Sequence, residues 1–237
     1  MSGSNEARVI ISIGGLGLVL VTGFYVFAVE RGWFAPGTAE QELARLPGMA
    51  AIRTVEPDAH AALARAMTDA LAARRPPENA VWQANAALRD LLRKHGARAD
   101  GEKIISLGKG FLTLLESDGA APAALCRRLF DPALPETDLA TPLARRLAIA
   151  SLTAIGSGIA RPEILPSSAQ LAPALERLAD RLGKVLSPED IARLPRLTAA
   201  APDTACRLLR TVLREVLALP EHQAIALLRH GLARQGE

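Results

Sequence analysis

The 237-residue sequence predicts an all-α protein with one membrane-spanning helix at its start, and three observations carry that prediction. Aromatic residues make up only 3% of the chain, and β-branched residues are sparse after the first thirty positions, a composition that favours helix over strand. Apolar residues recur every three or four positions between prolines that stand near helix starts. Before all of these lies a single long uncharged run.

That run is Val9 to Val29, twenty-one residues without a charge. At the helical rise it reaches about 31 Å, the thickness of a bilayer's hydrocarbon core. Tyr25, Trp33 and Phe34 gather at its C-terminal end, where amphipathic rings favour the headgroup zone, and Arg8 stands at the other. A globular core rarely needs so long an uncharged helix. A cleaved signal peptide is the stronger rival, since Val26-Phe27-Ala28 suits a cleavage site, but its apolar region would exceed the usual length. The reading preferred is a retained single-pass signal-anchor. No cysteine stands at the end of the run to accept an acyl chain. Gly14, Gly15, Gly17 and Gly23 include no pair four apart, so a helix-pairing glycine ridge is absent.

Positive charges on the two sides of the run balance, so orientation rests on the short N-terminal tail, 1–8, which ordinarily stays cytoplasmic while the long C-terminal part is exported. Arginine-heavy, lysine-poor usage suggests a GC-rich bacterial genome. Together these place the anchor in a bacterial inner membrane and the following domain in the periplasm.

Residues 30–54 read as a juxtamembrane tether, broken by Pro36-Gly37 and Pro47-Gly48 around a short helical piece, Ala39 to Leu46. The helical domain then occupies 55–237, and 49% apolar residues overall suffice to build its core. Glu56-Pro57 opens a helix to about Arg74, and Pro76-Pro77-Glu78 opens the next, with Val81, Ala84, Leu88, Leu91 and Leu92 on one face and Gly96 past its end. Around 96–100 the chain has its loosest boundary. Gly101 to Ser117 follows, with Ile104, Leu107, Phe111, Leu112 and Leu115 at helical spacing, interrupted by Gly108 and Gly110, where the helix is expected to bend or fray. The same grammar predicts helices over Ala121 to Phe130, Pro142 to Ser157, Ser168 to Lys184, Pro188 to Leu194, Pro202 to Leu219 and Glu221 to Arg234. Ser187-Pro188-Glu189-Asp190 combines a capping hydroxyl, a first-turn proline and two acids at the positive end of the helix dipole.

One internal match suggests duplication. Ala120-Ala121-Pro122 precedes Cys126-Arg127 and Leu129 as Ala200-Ala201-Pro202 precedes Cys206-Arg207 and Leu209, and each copy is followed by Ala-Leu-Pro-Glu, at Ala133 and at Ala218. Cys126 and Cys206 are the only cysteines. In an exported domain they are candidates for a disulfide, and closing a loop of about 80 residues would stabilise by ~4.5 kcal/mol in the chain-entropy description. Because helix-to-helix contact cannot be deduced from sequence, the balance at this level lies slightly with two buried thiols.

Chemistry is sparse. His60, His95, His222 and His230 include no pair four apart and read as solvated helix residues, and the cysteines lack the spacing of a zinc or redox centre. Gly156-Ser157-Gly158 lacks the outer glycines of a nucleophile elbow and reads as a helix end. Leu107-Gly108-Lys109-Gly110 is too short for a phosphate loop. Glu56, Asp58, Glu189 and Asp190 stand at helix starts, where the dipole accounts for them. No catalytic, cofactor-binding or metal residue is assigned. Net charge of +3 is too small for a dedicated nucleic-acid binder, and the arginine pairs at 74–75, 127–128 and 145–146 read as solvated faces. Trp82 reads as core.

The function expected is therefore an anchored, non-catalytic scaffold, adaptor or assembly partner of the envelope, meeting another protein through its helices. An anchored hydrolase or transferase, with a site converging from separate helices, is the alternative, since such convergence escapes motif reading. A cytoplasm-facing regulator is a third reading.

Overall fold

The computed structural model describes residues 46–72, 87, 90–117, 126 and 142–234. The uncharged run Val9 to Val29, the first part of the tether, Trp82, and the arginine pairs at 74–75 and 127–128 lie outside these residues. So does the helix expected over 121–130, apart from Cys126, which is helical. Among the described residues no strand occurs, and no helix is long and apolar enough to cross a membrane.

The order is α1 (Met49–Val55), α2 (Pro57–Ala72), a helical stretch at 90–94 leading into the 3-10 turn Gly96–Arg98, α3 (Gly101–Glu116), α4 (Pro142–Ala160), α5 (Ser168–Val185) and α6 (Pro188–Arg193). The 3-10 turn Leu194–Ala199, α7 (Pro202–Leu217) and α8 (Glu221–Ala233) complete it. Local chemistry sets the starts. Asp100 Oδ1 accepts from the Glu102 amide at 2.8 Å, and Ser187 Oγ accepts from the Asp190 amide at 3.1 Å. Ser167 and Gln170 form a reciprocal capping box at the start of α5.

α3 is the central helix. Its stripe of Ile104, Leu107, Phe111, Leu114 and Leu115 is buried, and α4, α7 and α8 pack around it. α5 lies on α7 and α8 through Leu171, Leu175, Leu178 and Leu182, spaced one helical turn apart. α7 buries Ala205, Cys206, Leu208, Leu209, Val212, Leu213 and Val216. Each fully buried leucine of this kind contributes about 1.5–3 kcal/mol of apolar transfer, so these stripes dominate the favourable side of folding.

Four sequence expectations change. The folded body begins earlier than residue 55, because α1 stands in the stretch read as tether and its Met49 and Ile52 are wholly buried. The stretch around 96–100 is packed, with Ala97 and Ala99 fully buried and the turn laid on α4 and α8. α3 runs unbroken through Gly108 and Gly110, and Gly108 is where Leu228 and Leu217 press close: a Cβ there would meet them at 3.0 and 3.3 Å.

Fourth, Gly156-Ser157-Gly158 is no helix end, since α4 continues to Ala160. Each of the three residues instead receives another part of the chain. Gly156 lies against Gly48, whose φ of +81° is one that residues with side chains rarely adopt and at which a Cβ would strike the Leu152 carbonyl oxygen at 2.1 Å. Ser157 Oγ accepts the Asp100 amide at 3.1 Å. At Gly158, a Cβ would lie 1.9 Å from the His95 carbonyl oxygen. Successive helical positions point about 100° apart, so three neighbours can serve three different segments.

Candidate functional site

The polar groupings of the domain are of two kinds. Along its C-terminal half, ion pairs join helices at the surface. Asp190 accepts Arg207 through both carboxylate oxygens, at 3.0 and 2.8 Å, and Arg193 lies nearby. The Arg207 guanidinium is the main reason the Asp190 carboxyl sits below its usual range, and the carboxylate in turn raises Arg207. Arg214 reaches Glu116 at 2.6 Å, joining α7 to α3, and Arg181 reaches Glu215 at 2.7 Å, joining α5 to α7. Asp190 and Glu189 were read from sequence as dipole partners of α6; Asp190 is also a cross-link to α7.

Beside Arg207 stands the cysteine pair. Cys126 and Cys206 form a disulfide with Cα atoms 5.8 Å apart and 80 residues of separation, so the balance struck from sequence falls the other way. Both residues are buried, at 3% and 8% exposure. The cysteine of one sequence copy is thereby bonded to the cysteine at the matching place in the other. No thiol remains free.

The second kind of grouping centres on Glu56, at the joint between α1 and α2. Its amide donates to the Ile52 carbonyl at 2.8 Å and its carbonyl accepts the His60 amide at 2.9 Å, which fixes the backbone. The carboxylate oxygen Oε1 accepts both the Lys94 ammonium and His95 Nε2, the latter at 2.7 Å. Lys94 ends the helical stretch 90–94 and His95 leads into the 3-10 turn. Hydrogen bonds from Lys94 first, then from His95, hold the Glu56 carboxyl below its ordinary range. The side chains of Glu56 and His95 are 20% and 13% exposed, whereas Lys94 remains largely in water.

Sequence reading missed this grouping. By sequence Glu56 is a helix-start acid and His95 and His60 are solvated; in the structure Glu56 and His95 meet and His60 is buried. Glu56 and His95 stand 39 positions apart, and no local signal shows that the two meet. His222 is exposed as expected.

An imidazole held by a carboxylate is the arrangement of a general base, and it is also a proton-dependent ion pair. Ser157, close by on α4, has its Oγ engaged by the Asp100 amide. Among the described residues no three His, Cys, Asp or Glu side chains gather as a ligand set for a metal ion. Comparison with protein-family models, with curated proteins and with solved structures gave no match.

Proposed function

We propose that this chain is a membrane-anchored scaffold, adaptor or assembly partner of the bacterial envelope, held by Val9 to Val29 in the inner membrane, with its helical domain on the periplasmic side and in contact with another protein. The Cys126–Cys206 bond is the observation that carries this reading, because disulfides persist chiefly in oxidising compartments and are rare in the cytosol. The uncharged run of twenty-one residues supports the anchor. Arginine–carboxylate pairs that join helix to helix support a structural role for much of the domain's polar chemistry.

The test is maleimide labelling of whole cells and of denatured extract, with and without reductant. The reading expects both cysteines to label only after reduction, the protein to stay with membranes in alkaline carbonate, and crosslinking in detergent extract to return a defined protein partner. Two cysteines that label freely, or release by carbonate, would overturn the assignment.

A second reading, an anchored envelope hydrolase or transferase, draws on the Glu56–His95 pair, since a carboxylate that orients an imidazole is how many general bases are positioned. It expects His95→Gln to abolish turnover of an envelope substrate while partner capture persists; the scaffold reading expects capture to depend on the helical surface and to survive that substitution.

A further inference from the structure

We infer that the Cys126–Cys206 bond is made before the domain closes, by a disulfide-bearing oxidant acting on the unfolded chain, and that folding then seals it against exchange. The order of events is the same with or without a membrane anchor. Three observations carry it.

The first is where the sulfurs lie. Both cysteines are buried, and Cys206 belongs to the stripe of α7 that also holds Ala205, Leu208 and Leu209, all wholly withdrawn from water. The next residue, Arg207, is held by both carboxylate oxygens of Asp190, which ties this part of α7 to α6. A thiolate that opens a disulfide has to reach one of its two sulfurs, and burial closes that approach.

The second is what the exchange reaction needs. To form the bond, one cysteine thiolate attacks the oxidant's S–S bond, giving a mixed disulfide and releasing one oxidant sulfur. The other cysteine then attacks the cysteine sulfur of that mixed disulfide and releases the second oxidant sulfur. Two electrons pass to the oxidant, and the two protons lost by the cysteines end on its sulfurs. The intermediate carries the oxidant covalently on Cys126 or Cys206. A close-packed interior, where even one added methylene is felt, has no room for it. Reduction runs through the same kind of intermediate in reverse, so one steric bar serves both directions.

The third is the count. Cys126 and Cys206 are the only cysteines, so oxidation of the unfolded chain has a single intramolecular product and needs no folded template to select it. The two stand 80 residues apart, and the entropy lost in bringing them together grows only slowly with that length.

The experiment exposes the full chain in detergent micelles, native or in concentrated urea, to dithiothreitol, traps thiols by alkylation at intervals and counts them by mass. Reduction of the native protein should be at least about a hundredfold slower than in urea, because it waits for the core to open. A smaller gap overturns the seal. For the order of events, one sample of reduced chain is refolded before oxidised glutathione is added, and another receives it while still unfolded. Bond formation should be at least about a hundredfold slower in the refolded sample, and a smaller difference overturns the order. Should circular dichroism show that the reduced chain does not fold, oxidation precedes folding by that fact, and the reduction rates alone decide the seal.

Discussion

The junction of α1 with α4 and the packing of α5, α7 and α8 close helix contacts in opposite ways. At the junction, backbone meets backbone: Gly48 on Gly156, and the His95 carbonyl on Gly158, with no side chain between. In the C-terminal half, leucine and valine stripes interdigitate and arginine–carboxylate pairs join the rims. A contact between backbones has no rotamer to adjust, so it is specific and brittle. A contact between side chains spreads over many atoms and can relax. Glycine in the two regions therefore carries opposite meanings, and the following substitutions test that.

The largest effect is expected of Gly158→Ala. Its methyl group would meet a backbone oxygen at 1.9 Å, inside any allowed contact, and both sides are backbone. Thermal or denaturant unfolding should show a loss of about 4 kcal/mol or more, or no folded domain at all. A loss under about 1 kcal/mol would mean that α4 and the 95–99 segment can part without harm.

Next comes the disulfide, which ties Cys126 to α7. Replacing Cys126 and Cys206 by serine should cost about 3 kcal/mol, within the range seen for native bridges. Comparing the oxidised and reduced wild type by urea denaturation should give a similar figure without any mutation.

The rim ion pairs should matter much less. Arg207 is half-exposed, so a double-mutant cycle of Arg207→Ala with Asp190→Ala is expected to give a coupling of about 1 kcal/mol or below, shrinking at high salt. Because the Asp190 carboxyl is held below its usual range, that contribution is present above the ordinary carboxylate range and disappears as pH falls through the lowered value. A coupling that survives molar salt would show the pair to be buried in solution.

The smallest effect has the opposite sign. Gly183 lies inside α5 with nothing within 4 Å of where a Cβ would stand. Gly183→Ala should therefore stabilise by about 0.5–1 kcal/mol through helix propensity alone. A loss on Gly183→Ala would break the contrast from its other end.

The helices themselves were legible because their signals are local. Proline at a first turn, a capping serine or aspartate, and apolar spacing of three to four act within a few residues. The start of α2 and the boundaries of α3, α5, α6, α7 and α8 fall within one or two residues of those expected from such signals, and at Leu194 the chain passes from α6 into a 3-10 turn. The misread elements show the limit. Gly156-Ser157-Gly158 resembles a helix end by propensity, yet packing against Gly48, Asp100 and His95 keeps it helical, because the tertiary contacts outweigh a cost of about 1 kcal/mol per glycine. α1 was hidden by Pro47-Gly48, which in place is a glycine turn that delivers Met49 and Ile52 to the core.

What the sequence alone determined is thus the helical class, most of the helix limits, and the apolar stripes to be buried. Which stripes meet, that Cys126 finds Cys206 across 80 residues, and that Glu56 finds Lys94 and His95 across 38 and 39, were decided only by the tertiary structure. The physical reason is that helix formation is settled by interactions within one turn. The choice among partners of similar apolar character is settled by shape, and shape at the decisive points here depends on single glycines whose missing side chains leave no pattern to read.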